Sequence, residues 1–203
     1  MEDIVKKMRQ LLGAVICVLM ATSFAYAEVP EKPIHIYLQG GGTLPMSDLK
    51  DGWKVGFNVG GGIGLSINEN IEVGARVLYN SLNLDTEGDL WKEEGGDMDD
   101  VDGGEFQPLM YGLELKINTG NEDTNLYIVG GFGKAKVKFG DLEVNGQEVD
   151  FFEEQTENYY ALGGGVEFGT FFIEARYVII KFDGDGSDSD DIKMIPVSVG
   201  IKF

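Results

Sequence analysis

The 203-residue sequence predicts an all-β protein, a closed eight-stranded antiparallel up-and-down transmembrane β-barrel preceded by a cleavable signal peptide. Three observations carry this expectation. After residue 28, apolar residues recur with period two, the spacing of strands whose two faces meet different surroundings. The periodic segments number eight, and short and long connections alternate between them. Charged residues recur in mid-segment on the parity opposite the apolar one, as in a barrel that turns its apolar face to lipid.

Residues 1–27 read as a leader. Lys6, Lys7 and Arg9 supply the positive start, Leu11 to Met20 the apolar run, and Ala25-Tyr26-Ala27 a small-x-small cleavage site. The barrel domain is then 28–203, beginning at Glu28. Met8 is an alternative start, because Arg9 follows it. An N-terminal anchor would need a longer apolar run to span comfortably. Cys17 is the only cysteine and lies inside the leader, where Ala14-Val15-Ile16 makes a poor lipidation context. The exported chain therefore has to do without disulfides. No later stretch is apolar for long enough to form a membrane helix.

The strands follow in order. They run roughly Ile34 to Gly42, Trp53 to Ser66, Ile71 to Leu84, Phe106 to Asn118, Leu126 to Phe139, Tyr159 to Phe168, Phe171 to Phe182 and Ile192 to Phe203. The second is the clearest: Trp53, Val55, Phe57, Val59, Ile63 and Leu65 share one parity, opposite Lys54, Asn58 and a run of glycines. The third continues with Ile71, Val73, Ala75, Val77 and Tyr79. The fifth is ambiguous in phase. Tyr127, Val129 and Val137 are taken as its apolar face, because Lys134, Lys136 and Lys138 then lie opposite. The connections at 67–70, 119–125 and 169–170 are short, and those at 43–52, 85–105, 140–158 and 183–191 are longer. Short turns on one side and long loops on the other place both termini at the periplasmic end.

A soluble lipocalin-like barrel also alternates, with its apolar face inward. Four features favour apolar-out. Glu72, Arg76, Glu114, Lys116, Glu167, Glu174 and Arg176 share the opposite parity and carry both signs, so they can pair inside an eight-stranded lumen that side chains just fill. Glycines such as Gly56, Gly60, Gly62, Gly64 and Gly112 share that parity. Aromatics gather at strand ends, at Trp53, Tyr79, Phe139, Phe168, Phe171, Phe182 and Phe203, as two interfacial girdles would require. The last strand ends Ile195, Val197, Val199, Ile201, Phe203 with polar or small residues between.

Phe172-Ile173-Glu174-Ala175-Arg176-Tyr177 and the closing Val197-Ser198-Val199-Gly200-Ile201-Lys202-Phe203 resemble the small eight-stranded outer-membrane β-barrels, the OmpA/OmpX-like outer membrane protein β-barrel domain family. The likeness covers about the whole chain after the leader, as a pattern rather than a strict motif. It implies export by the general secretory route and residence in the bacterial outer membrane. The implied partners are outer-membrane lipids and lipopolysaccharide, and the assembly machinery. Val199, Ile201 and Phe203 match the terminal assembly signal. No peptidoglycan-binding domain follows Phe203, so that activity is not carried over. Pro196 departs from an ideal strand, and a local bulge is expected there.

Charge is concentrated in the long connections. The whole chain carries −19; residues 85–105 hold ten acids against Lys92, residues 140–157 seven acids and no base, and residues 183–191 five acids. Such a chain is unsuited to nucleic-acid backbones. Acidic loops stay hydrated outside the bilayer. A second reading is divalent-cation binding, which needs several carboxylate oxygens close together. Asp97, Asp99 and Asp102, and Asp183, Asp185 and Asp188, are the candidates, although neither run has EF-hand spacing.

Catalysis has little to stand on. A serine hydrolase needs a histidine beside a serine. The only histidine, His35, lies near the periplasmic end of the first strand with no nearby nucleophile motif. No cofactor is implied. The sequence thus predicts a non-enzymatic outer-membrane barrel with a structural or surface-interaction role and acidic extracellular loops. The alternative is a narrow pore or small-solute carrier using gaps at Gly40-Gly41-Gly42, Gly60-Gly61-Gly62 and Gly163-Gly164-Gly165.

Overall fold

The computed structural model describes residues 33–85, 101–119, 124–140, 142–144, 147–149, 154–182 and 191–203. Its strands in chain order are β1 (Ile34–Met46), β2 (Gly56–Ser66), β3 (Ile71–Ser81), β4 (Val101–Gly103), β5 (Phe106–Asn118), β6 (Asn125–Phe139), β7 (Leu142–Val144), β8 (Gln147–Val149), β9 (Gln155–Phe168), β10 (Phe171–Lys181) and β11 (Ile192–Lys202). Eight of them close an antiparallel barrel in the order β1-β11-β10-β9-β6-β5-β3-β2. The seam is the β1–β11 pairing, which runs from Tyr37 against Lys202 to Met46 against Lys193. Phe203 extends it, its amide donating to the Ile36 carbonyl at 3.0 Å. The three short strands β4, β7 and β8 form a separate small sheet within the long connections.

The turns at one end are tight for identifiable reasons. The Asn68 carboxamide oxygen accepts from the amides of Asn70 and Ile71 at 2.9 and 2.7 Å, an Asx turn that reverses the chain between β2 and β3. Gly169 and Thr170 alone join β9 to β10, with Phe168 facing Phe171. Gly169 has φ 60°, which suits a two-residue hairpin and which side chains disfavour.

The apolar parity faces outward. Ile36, Leu65, Val77, Leu113, Phe132, Leu162 and Val199 are exposed, Leu162 by 65%. A continuous apolar belt of this kind belongs in lipid, not water. Two expectations need correction. On β6 the outward face is Leu126, Ile128 and Phe132, while Tyr127, Val129 and Val137 are buried. Lys134, Lys136 and Lys138 therefore share the outward face, with Ala135 and Val137 packed inside. Outward-facing lysine fits only where the strand has left the apolar belt. The girdle also divides. Phe168, Phe171 and Phe203 face outward at the short-turn end. Trp53, Phe139 and Phe182 instead pack against the buried core at the other end.

Four boundaries move by three or four residues: β2 begins at Gly56 rather than Trp53 and β3 ends at Ser81 rather than Leu84, although an isolated bridge still joins Trp53 to Leu84. β1 runs on to Met46 and is followed by a 3₁₀ turn, Ser47–Asp51, whose Leu49 is buried against the core. β9 begins at Gln155, four residues before the expected Tyr159. Pro196 sits buried within β11 and pairs with Thr43, without a break in the register.

Candidate functional site

The barrel interior is where the charged residues meet. Glu72 and Arg76 come from β3, Glu114 and Lys116 from β5, Glu167 from β9, and Glu174 and Arg176 from β10. All seven are buried. Their cross-strand neighbours explain how long side chains fit. Arg76 lies between Gly62 and Gly112. Glu114 lies between Gly74 and Gly131. Glu174 lies between Gly165 and Ser198, and Arg176 faces Gly163. The interior glycines thus leave room for their charged neighbours rather than open gaps.

Four of the seven form one ring. Arg76 Nη1 donates to Glu174 Oε1 at 2.9 Å, and Nη2 to Glu114 Oε1 at 3.1 Å. Arg76 Nε lies 2.9 Å from Glu114 Oε2, at ion-pairing distance but off hydrogen-bond alignment. Arg176 Nη2 donates to Glu114 Oε2 at 2.8 Å, and Nε to Glu174 Oε1 at 2.6 Å. Tyr127 donates to Glu174 Oε2 at 3.0 Å. Two guanidiniums and two carboxylates cancel, which is what burial of charge demands.

A second polar group lies toward the short turns. Lys116 pairs with Glu167, whose Oε2 also takes Lys202 at 2.6 Å. Tyr37 donates to Glu72. The Lys116 ammonium stands 4.3 Å from the Tyr127 ring centre, within cation–π range. Aromatic side chains here also rest on glycine: a Cβ at Gly165 would strike the Tyr127 ring, and one at Gly200 the Phe172 ring.

Above the arginine ring, away from the short turns, the interior turns apolar. Leu49, Leu78, Leu82, Phe106, Met110, Ala135, Val137, Tyr159, Val178, Ile180 and Met194 form one buried cluster. A hydrogen-bonded polar set borders it on the β1–β2–β11 side. Thr43 donates to Asn80 at 2.8 Å, Ser198 to Asn58 at 2.7 Å and Gln39 to Ser198 at 3.2 Å. Between the ring and the cluster lies a cavity of about 10 Å³, lined by Arg76, Leu78, Met110, Tyr159, Ala161, Arg176 and Val178. Such a space barely admits one water molecule.

Sequence reasoning missed this apolar layer, although a signal existed. On β3 the interior parity reads Glu72, Gly74, Arg76, Leu78. On β10 it reads Glu174, Arg176, Val178, Ile180. Both change from charged to apolar away from the short turns. It also missed Tyr37, Gln39, Tyr127 and Lys202 as partners of the charged residues.

The fold adds a contact at His35. The folded chain brings Ser66 to it, with Nε2 to Oγ 3.1 Å. A histidine–serine contact lacks an activated nucleophile unless an acid orients the ring. Among the described residues, Glu72 is engaged by Tyr37 and Glu167 by Lys116 and Lys202.

Val199 and Ile201 face outward on β11, and Phe203 closes against Ile36. Asp97, Asp99, Asp183, Asp185 and Asp188 lie outside the described residues. Asp102 contributes its backbone to β4, and its side chain lies outside them too.

A family model described as the outer membrane protein beta-barrel domain matches residues 13–203. No curated protein matches the sequence. Among solved structures, Neisserial surface protein A is similar over 84% of this chain and 96% of its own, at 12% identity and a TM-score of 0.53. The attachment invasion locus protein Ail of Yersinia pestis is 19% identical, covering 84% and 97% of the two chains at a TM-score of 0.46. The outer membrane enzyme PagL is 12% identical over 83% and 98%, at 0.48.

Proposed function

From the premise that the chain belongs to the outer membrane protein β-barrel family and resides in the bacterial outer membrane, we propose that it is a non-enzymatic, non-conducting barrel. Its role is to hold the long acidic connections outside the cell, for structural support or surface interaction. The observation that carries this reading is the interior, where among the described residues a neutral Arg–Glu ring lies beneath an apolar cluster with a cavity of about 10 Å³ between them. A barrel built for passage would leave its lumen polar and water-filled along its length. The fold alone does not decide function, so the reading stands on these side chains.

The rest of the proposal concerns delivery. Residues 1–27 serve as the leader for the general secretory route, and Glu28 starts the exported chain. Val199, Ile201 and Phe203 present the outward terminal pattern for the outer-membrane assembly machinery. N-terminal sequencing of protein extracted from membranes should begin at Glu28.

Planar-bilayer conductance of the purified protein tests the central claim. Its folding is checked first by heat-shifted gel mobility. A silent bilayer with folded protein is expected. Discrete, reproducible openings would overturn the closed-barrel reading and favour a narrow pore or small-solute carrier.

A further inference from the structure

Crowding accounts for many glycines of the barrel wall. A Cβ at Gly60, Gly112, Gly133 or Gly163 would lie within 2.3 Å of a neighbouring carbonyl oxygen. Gly130 is different. It sits in mid-β6, its φ is not positive, and a Cβ there would meet nothing within 4 Å. Glycine inside a strand weakens it. Where the single chain does not require it, it marks a place that a ligand or another backbone approaches closely.

Gly130 lies on the outward parity, between the exposed Ile128 and Phe132. Its cross-strand neighbours are Leu115 on β5 and Leu162 on β9. It opens onto a groove of about 620 Å³ in the outer wall, which crosses β2, β3, β5 and β6 within the apolar belt. Ala75 makes a second low point on β3, flanked by Ile63 and Leu113. Leu113 and Phe132 stand beside these hollows, 57% and 58% exposed.

The texture of this face selects its occupant. Acyl chains are flexible and cover any wall, whatever its side chains. Protein walls in a membrane gain no hydrophobic effect by meeting; they associate through close packing, which small residues permit. Here one patch supplies both the hollow and the side chains that fill it, which a two-fold contact demands. Size agrees as well. A four-strand face, about 4.8 Å per strand and about 25 Å tall, measures roughly 480 Å² in projection. Its relief raises the accessible surface toward the roughly 600 Å² per partner at which stable contacts begin.

We propose that the β2-β3-β5-β6 face is where two copies of this chain pair within the membrane, with Leu113 and Phe132 of each copy set against Gly130 and Ala75 of the other. The two-fold axis runs along the membrane normal, so both apolar belts stay level and the long connections of both copies share one side.

The test uses the full protein, extracted from outer membranes into density-matched detergent micelles and shown to be folded by its heat-shifted band. Sedimentation equilibrium should find the parent in a monomer–dimer equilibrium. Gly130→Leu should weaken association at least about tenfold, and Gly130→Ala about threefold, by overpacking the contact. The heat-shifted band of Gly130→Ala should melt no lower than the parent's, because a methyl group there touches nothing in the single chain. Ala175→Leu, which enlarges an exposed small residue on β10, should associate as the parent does. A monomeric parent overturns the proposal. A dimer that Gly130→Leu leaves intact overturns it too, and so does an equal loss in Ala175→Leu. Lipid that co-purifies with a monomeric parent and is lost from Gly130→Leu would assign the groove to an acyl chain instead. None of these results bears on the closed lumen, which the conductance measurement tests separately.

Discussion

Glu114 shows how a single interior residue carries more than its own contacts. It accepts from both Arg76 and Arg176, so its loss leaves two buried guanidiniums with one shared carboxylate, Glu174. Removing one partner of a buried pair costs about 3–5 kcal/mol. Glu114→Ala should lose stability on that scale, seen as a lower denaturant midpoint for the heat-shifted band. Glu69→Ala, in an exposed turn, should stay near the parent. The glycines make an independent case. A methyl group at Gly165 meets the Tyr127 ring and the Ile173 carbonyl, and neither can retreat from a packed interior. Gly165→Ala should cost about 1–3 kcal/mol by overpacking, measured by the same midpoint. The charged residues were legible in the sequence because their parity opposed a clear apolar one. Tyr37 and Gln39 share such a parity, opposite Ile34, Ile36 and Leu38, but carry no formal charge to mark them as partners of the ionic residues.

At the scale of elements, β6 is the instructive failure. Both of its parities carry apolar residues, because the interior beside Ala135 and Val137 is itself apolar. The lysines then invited the inward assignment, since charge elsewhere in the chain marks the interior. Register settled the matter: Lys134 pairs with Tyr111 and Lys136 with Leu109, both on the outward parity of β5. Trp53, Phe139 and Phe182 failed for a related reason. An aromatic at a strand end reads as an interfacial anchor, yet the Trp53 indole packs 6.1 Å from the Phe106 and Phe139 rings and donates to the Gly104 carbonyl at 3.2 Å. Turns, by contrast, were legible from their lengths. The β9–β10 turn yields a sharp prediction, because φ 60° at Gly169 disfavours any side chain. Gly169→Val should cost at least about 1–2 kcal/mol. The signature is a lowered yield of heat-shifted band on refolding, with Thr170→Val near the parent.

The whole molecule combines two different ways of excluding water from one lumen. The arginine ring works through paired charge, and the cluster above it through packing. Only the first was read from the sequence, because charge in mid-strand stands out, whereas the change from charged to apolar at Leu78 and Val178 shows only when the interior parity is followed along each strand. The two layers are stacked along the barrel, so each should suffice as a barrier to ions. Phe106→Ala with Met110→Ala tests this without touching the ring. Each substitution leaves a cavity and costs about 2–5 kcal/mol, so the variant should melt lower while keeping its heat-shifted mobility. Its conductance should remain silent, because an ion entering the emptied upper half still meets Arg76, Arg176, Glu114 and Glu174 locked together. Steady openings from this variant would show that the ring yields to water once the packing above it is gone. The apolar cluster would then be the true seal, and the ring a support for it.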